Sequence, residues 1–260
     1  MKIFYWSPFI SKVATVSSVI RSAESILKYS KKKNNINVAI IDAIGEWKNY
    51  RKIINPKIEI INLSKKNISE SLPKVGFFKS RLSYALIFAL TFFKLLNLIN
   101  KEKPDYIIAH LLTSLPIFLT LIIKNKTKVI IRISGLPKLN LVRYIFWKLF
   151  SKKIYKITCP TTLTYEYLKK INIFDQNKLF VLRDPVIQLH EFLIKKNEKI
   201  ENLKIEKNNL IISIGRLTRQ KNFILLIRAF KKILIKYPDY HLILLGEGEQ
   251  KKILIKEAQK

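Results

Sequence analysis

Cysteine and glycine are both scarce in this chain, and each scarcity limits what the protein can be. A single cysteine, Cys159, excludes an intrachain disulfide, so the fold depends on an ordinary core, as in proteins of a reducing compartment. Cys159 lies in the apolar run KITCP, which predicts a small buried strand residue. With only six glycines in 260 residues, each one suggests a position where the backbone needs it.

Acidic residues are also few: 18 Asp and Glu stand against 49 Lys and Arg, for a net charge of +31. Nucleic acid, anionic lipid and compositional drift in a chain rich in Lys, Ile and Asn all remain possible explanations. No zinc-finger spacing and no RNP-type aromatic strand occurs, so no nucleic-acid partner is expected. No Asp-X-Asp pair follows a strand, so no metal is expected. We expect no other cofactor either.

Long hydrophobic runs are missing as well. The best membrane candidate, Leu82–Phe93, has 12 residues, fewer than the roughly 20 that span a bilayer. The N-terminal MKIFYWSPF lacks the long apolar core and the cleavage site of a secretory signal. We therefore expect a cytoplasmic protein that is at most peripheral at the inner face of a membrane.

Short β-like runs alternate with longer helical runs along the chain. This alternation predicts an α/β fold of two Rossmann-like domains, with parallel sheets covered by helices on both faces. The near-continuous apolar strands agree with burial on both sides. We assign residues 1–190 to a first domain, 191–208 to a linker, and 209–260 to the start of a second domain that we interpret as incomplete.

The stretch SIGRLTRQKNF places a glycine and two cations between a strand and a helix. Ligands gather at the carboxyl ends of strands in open α/β sheets. There Gly215 permits a tight turn, Arg216 offers a planar fork for phosphate oxygens, and Lys221 adds a compact charge near a helix start. The residues thus suggest a diphosphate site, but a solvated basic loop in a basic chain fits the same pattern.

The segment SIGRLTRQKNFILLIRAF, followed by LILLGEGEQKKILIKEA, resembles the donor-binding half of family 4 glycosyltransferases. The resemblance is close over residues 209–258 and looser earlier, in DYIIAH and in PTTLT after KITCP. It implies a retaining, nucleotide-sugar-dependent hexosyltransferase of the GT-B fold that builds lipopolysaccharide or another surface polysaccharide. The implied partners are a nucleotide-sugar donor and a glycan or lipid-linked acceptor.

The same resemblance implies roles for particular residues. Arg216 and Lys221, with Gly215, would hold the donor diphosphate and act as catalytic groups, and Gly246 and Gly248 would shape the loop near the nucleoside. His110, at the end of a first-domain strand, would contact the transferred sugar or the acceptor, although a packed histidine is the alternative. The cleft loops on the acceptor side would be formed by Ser7, Ser11, Lys12, Ser134 and Gly135.

Two features depart from the family pattern. The loop after the first strand, SPFISKVAT, has no glycine against the donor phosphates, so Ser7, Ser11 and Lys12 would make the polar contacts. The family's pair of glutamates beyond Gly248 is not found before Lys260. Two alternatives therefore stay open: an inactive, truncated remnant of such an enzyme, and a basic lipid- or nucleic-acid-binding α/β module.

Two segments, residues 77–96 and 140–156, interleave basic residues with aromatic and apolar ones. Such a pattern suits a helix at an anionic bilayer surface. An ordinary amphipathic helix, apolar towards the sheet and basic towards water, explains it equally well. A membrane surface is thus a possible partner.

Overall fold

The computed structural model describes residues 1–11, 13–30, 35–73, 77–137, 139–185, 187–198 and 209–259. The chain divides into two compact units, Met1–Leu189 and His190–Lys260. Each unit is considered by itself below. Lys12 and residues 199–208 of the predicted linker lie outside the described residues.

In the described part of the first unit, seven parallel strands form one sheet in the order β3-β2-β1-β4-β5-β6-β7. The order reverses between β1 and β4, and this point is where open α/β sheets place their ligand crevice. The strands are β1 Lys2–Trp6, β2 Asn37–Asp42, β3 Ile58–Asn62, β4 Tyr106–Ala109, β5 Lys128–Arg132, β6 Lys156–Cys159 and β7 Leu179–Val181.

Helices cover this sheet from both sides. Helix α1 packs on one face, where its Val16 and Val19 meet Tyr5 and Ile40 in one core cluster. Helices α2 to α5 pack on the other face in a second cluster. The helices are α1 Ala14–Tyr29, α2 Phe77–Glu102, α3 Ser114–Leu119, α4 Leu141–Phe150 and α5 Thr162–Ile171.

The central strands are buried on both faces, as their sequences predict. Val38, Ala39, Ile40 and Ile41 of β2 are all fully buried, because a parallel sheet between helical layers leaves neither side to water. Cys159 is buried too, and burial raises the pKa of its thiol to about 11. The predicted parallel α/β fold and the buried cysteine are both confirmed.

Helix α2 is longer than the apolar run inside it. It extends over 26 residues, and its segment Lys79–Glu102 is long and apolar enough to cross a membrane by length and composition. The apolar run was a poor measure of the helix, because Lys94 ends the run but not the helix, which continues through a further apolar segment to Glu102. Ile87, Leu95 and Ile99 nevertheless lie fully buried against the sheet, as in the core helix of an α/β protein.

The second unit begins with helix α6, Leu189–Lys196, which starts at the last residue of the first unit. Within its described residues, two parallel strands form a sheet with residue-by-residue pairing from Leu210↔His241 to Ile214↔Leu245. Leu217, Phe223 and Leu254 form its buried cluster. The elements are β8 Leu210–Ile214, α7 Phe223–Lys236, β9 His241–Leu245 and α8 Lys251–Ala258.

Candidate functional site

In the first unit, the carboxyl ends of β1 and β4 bring two predicted site residues together. Trp6 pairs with Ala109 at the ends of β1 and β4. Ser7 and His110 directly follow these two residues and are therefore neighbours. The His110 backbone N–H donates to the carbonyl of Trp6 at 2.9 Å, which extends the ladder to this point. Ser7 is fully buried and His110 is 5% exposed.

The polar side-chain atoms of both residues lack partners. Neither ring nitrogen of His110 nor the Ser7 hydroxyl has a hydrogen-bond partner among the described residues. A buried polar group without a partner costs about 1–3 kcal/mol, so its retention requires an explanation such as a ligand. The tilted Tyr5 ring lies 5.9 Å from the imidazole, centroid to centroid.

His110 lines a cavity of about 620 Å³ between α1 and strands β4 to β6. Burial, with the nearby charge of Arg132, lowers the pKa of the imidazole to about 3. The ring is therefore neutral at physiological pH and offers one N–H donor and one acceptor nitrogen. Such a group can bind hydroxyls, but it cannot serve as a cation for a phosphate.

Arg132 is a buried residue of this cavity that we did not single out from the sequence. Its Nη2 donates to Asp184 Oδ1 at 2.6 Å and to the carbonyl of Leu182 at 2.8 Å, while Nη1 lies 3.3 Å from the Thr158 hydroxyl. Its side chain is 4% exposed. An arginine inside the apolar strand KVIIR was a usable signal, since a buried charge requires a partner.

The remaining first-domain candidates lie elsewhere. Ser11 lines a different cavity, of about 660 Å³, with Glu46, Asn49 and Asn67. Ser134 and Gly135 are exposed after β5, and Gly135 has the positive φ of 93° that its retention suggested. Lys12 is outside the described residues.

In the second unit, the loops after β8 and β9 pack on each other through their backbones. Gly215 donates to the carbonyl of Leu245, and Leu217 donates to that of Glu247, both at 2.9 Å. A Cβ on Gly246 would lie 1.8 Å from the Gly215 carbonyl oxygen, and one on Gly248 would lie 2.3 Å from that of Leu217. These two glycines are therefore required by the contact between the loops.

Gly215 carries a weaker steric requirement. A Cβ there would meet the Phe223 ring at 3.4 Å and Lys221 Cε at 3.8 Å, which are ordinary contacts. The second distance shows that the Lys221 side chain runs back over Gly215. The Lys221 ammonium therefore lies near the carboxyl end of β8, as the sequence predicted.

Arg216 and Lys221 are exposed on one short turn, and Arg219 is a third exposed cation between them. The turn closes through two bonds, from Thr218 N–H to the Arg216 carbonyl at 2.8 Å and from Lys221 N–H to the Thr218 carbonyl at 3.0 Å. It leads directly into helix α7, whose N-terminal N–H groups favour anions. The arrangement suits a ligand with more than one negative oxygen.

Two further polar atoms of these loops are buried without a hydrogen bond in the described structure: the Thr218 hydroxyl and the Gln250 side-chain oxygen. No sequence pattern pointed to either residue. The carboxylate of Glu247, by contrast, is exposed and forms an ion pair with Lys251 at 3.0 Å. The Glu247 carboxylate therefore already has a cationic partner at the surface.

Residues 194–260 match the sequence profile of the family described as glycosyl transferases group 1. An uncharacterized glycosyltransferase of Methanocaldococcus jannaschii is 30% identical over 177 residues. The match covers 61% of this chain and 43% of that protein, so the chain spans less than half of that relative's length.

Solved structures share the fold at low sequence identity. A UDP-GlcNAc 2-epimerase from Neisseria meningitidis, bound to UDP-GlcNAc, is 19% identical with a TM-score of 0.60, over 100% of this chain and 69% of that one. A variant of S. aureus TarM in complex with fondaparinux, α-GlcNAc-glycerol and UDP is 13% identical with a TM-score of 0.62, over 99% and 74%. The fold is that of GT-B glycosyltransferases and epimerases, as the resemblance implied.

Proposed function

We propose that this protein transfers a sugar from a nucleotide-sugar donor to a glycan or lipid-linked acceptor, with retention of configuration at the sugar. The observation that carries the proposal is the cationic turn 216–221, which presents Arg216, Arg219 and Lys221 at the carboxyl end of β8 and the start of α7. The match of residues 194–260 to glycosyl transferases group 1 supports the same interpretation.

The leaving group of such a reaction is a nucleoside diphosphate, which gains negative charge as the bond to the sugar breaks. Arg216 and Lys221 would bind its oxygens and stabilise that charge without a metal. Because the turn is formed by its own backbone bonds, little reorganisation would be needed when the donor binds. The buried Thr218 hydroxyl and Gln250 oxygen supply further polar atoms beside it.

His110 would act on the sugar or the acceptor. A neutral imidazole with both nitrogens unpaired by the described residues can accept from one hydroxyl and donate to another. Ser7, at the neighbouring strand end, would add a hydroxyl to the same crevice. The proposal also places the enzyme in the cytoplasm and its product in surface polysaccharide or lipopolysaccharide, in agreement with the single cysteine.

Calorimetry with UDP, GDP and their sugar derivatives tests the donor site. Replacing Arg216 or Lys221 with alanine should weaken nucleotide binding by about tenfold or more, since a charge-assisted hydrogen bond contributes about 1.5–3 kcal/mol. Lys232→Ala removes another exposed cation, from helix α7, and should leave the affinity unchanged.

Absence of binding by every nucleotide and nucleotide-sugar would contradict the proposal. Gel-shift binding of nucleic acid that survives the loss of both Arg216 and Lys221 would favour the basic-module alternative. The retaining assignment has its own measurement: proton NMR of the product should show the anomeric configuration of the donor sugar.

A further inference from the structure

We infer that the outer face of helices α2 and α4 is a docking surface for an anionic phospholipid bilayer. The inference does not rest on glycosyl transfer, because it concerns a surface of the first unit and requires no donor. Its two helices belong to the layer that covers the sheet on the side opposite α1.

Helix α2 has an apolar side that faces away from the sheet. Leu82, Leu86, Leu90 and Phe93 are 57%, 39%, 45% and 70% exposed, at spacings of four, four and three residues. These spacings put the four side chains on one stripe of the helix, about 17 Å long at 1.5 Å per residue. A water-soluble helix normally places polar residues on that side.

Helix α4 repeats the pattern. Leu141, Val142, Ile145 and Leu149 are 74%, 76%, 47% and 71% exposed, whereas its Trp147 and Phe150 are buried towards the sheet. Leu141, Ile145 and Leu149 recur every four residues, and Val142, three residues before Ile145, lies on the same side. Large apolar side chains thus face solvent on two helices of the same layer.

An aromatic cluster shows that these helices lie side by side. The Phe118 ring of α3 lies 6.0 Å from Phe92 of α2 and 6.0 Å from Phe150 of α4, centroid to centroid. Phe88 of α2 lies 6.3 Å from the same ring. Because α3 sits between α2 and α4 on one face of the sheet, both exposed stripes lie on the outer side of the same helical layer.

Charge decides which partner this surface suits. Residues 77–171, which span the helical layer, contain 17 Lys and Arg but only three acidic residues, Glu102, Asp105 and Glu166. The ratio of basic to acidic residues in this segment is about twice that of the whole chain, where 49 basic residues stand against 18 acidic ones. Exposed apolar side chains rimmed by cations match a bilayer whose surface is negative and whose interior is apolar.

Basic residues also border the stripes directly. On α2, Lys79 is exposed three residues before the stripe and Lys94 directly after it. Lys148, Lys152 and Lys153 are exposed on α4 and just after it. Their long stems allow the ammonium groups to reach phosphate level while the apolar stripe enters the boundary of the acyl chains. The surface would therefore lie on the membrane without crossing it, since the opposite side of α2 is buried in the core.

Flotation of the full chain with lipid vesicles tests this inference. It should bind vesicles containing about 30 mol% phosphatidylglycerol and bind pure phosphatidylcholine far less. The double variant Leu90→Glu/Phe93→Glu should reduce binding to the anionic vesicles by about tenfold or more, because it removes apolar contact and adds repelled charge.

A matched control carries the same two added charges elsewhere. Tyr29→Glu/Ile53→Glu alters side chains that are 71% and 65% exposed, next to the cluster on the other face of the sheet, and should bind vesicles almost as the unaltered chain does. Circular dichroism of both variants should show unchanged helix content, because all four positions are on the surface.

Equal binding to both vesicle types, or equal loss in both double variants, would overturn the inference. So would a chain that binds no vesicles but dimerises in solution and becomes monomeric with Leu90→Glu/Phe93→Glu, which would make the surface a contact between copies. None of these outcomes depends on nucleotide binding. The test of the membrane surface is therefore independent of the test of the proposed function.

Discussion

At the scale of single residues, the notable feature is that polar groups are buried without partners where the candidate ligands would bind. His110 and Ser7 in the first unit, and Thr218 and Gln250 in the second, are all of this kind. The sequence pointed to His110 and Ser7 through their position after strands. It could not reveal that their polar atoms are unsatisfied, because a missing partner depends on every neighbour in space.

His110 should make the stability of the protein depend on pH. The pKa of its imidazole is about 3 in the folded protein and about 6.5 when unfolded, so the unfolded chain binds more protons between these values. Stability should therefore fall as the pH decreases below about 6.5, by up to about 1.4 kcal/mol per pH unit from this group. Urea unfolding of the unaltered chain and of His110→Leu at a series of pH values isolates the contribution of His110 to the free energy of unfolding.

The same variant separates stability from function. His110→Leu removes a buried unpaired group and should stabilise the ligand-free protein at low pH, while it decreases sugar transfer. His190→Leu, at an exposed position of α6, should change neither property. If the stability of His110→Leu depended on pH as that of the unaltered chain does, the imidazole would not be buried as a neutral group.

At the scale of elements, the loops after β8 and β9 depend on two glycines for their contact with each other. The resemblance implied that Gly246 and Gly248 shape a loop beside the nucleoside. In the structure they allow the backbone after β9 to touch the backbone after β8, with no room for a Cβ. A contact between two loops some 30 residues apart is invisible in either loop alone.

Alanine at these glycines should therefore cost stability. Gly246→Ala and Gly248→Ala should each destabilise the second unit by about 1–3 kcal/mol, because the added Cβ meets backbone oxygens that cannot move independently. Gly215→Ala, with ordinary contacts only, should remain within about 0.5 kcal/mol of the unaltered chain. Urea unfolding of the three variants would contradict this view if Gly215→Ala were as costly as the other two.

Helix α2 shows what the apolar content of a sequence cannot distinguish. Its apolar content predicted a helix, and the helix is there, but the same residues fit a core face, a membrane face or a spanning segment. The structure separates them because Ile87 and Leu95 meet the sheet whereas Leu90 and Phe93 do not. Only the position of the sheet distinguishes these sides, and hydropathy contains no such information.

At the scale of the whole molecule, the two units differ in how much they bury. The first unit has two core clusters around a seven-stranded sheet, whereas the described second unit has three buried apolar residues and a two-stranded sheet. In β8, Ile212 is 52% exposed and Ile214 77% exposed, which is unusual for an apolar parallel strand. Less burial implies a lower local free energy of opening.

Hydrogen exchange should show this difference. Amides of β8 and β9 should exchange faster than those of β1 and β2 by at least about tenfold, because the smaller core opens more readily. A nucleotide that binds the second unit should slow exchange there and leave β1 and β2 unchanged. Equal protection of both sheets without ligand would mean that the chain opens as one cooperative body.

The amino-acid sequence was sufficient for the alternation of strands and helices, the parallel sheet and the cationic turn after β8. These follow from hydrophobic periodicity and from residue types that are local in the chain. It was not sufficient for the buried Arg132–Asp184 pair, the loop contact at Gly246 and Gly248, or the apolar outer surface of α2 and α4. Those depend on which distant segments meet, since burial and hydrogen-bond satisfaction are properties of the packed structure.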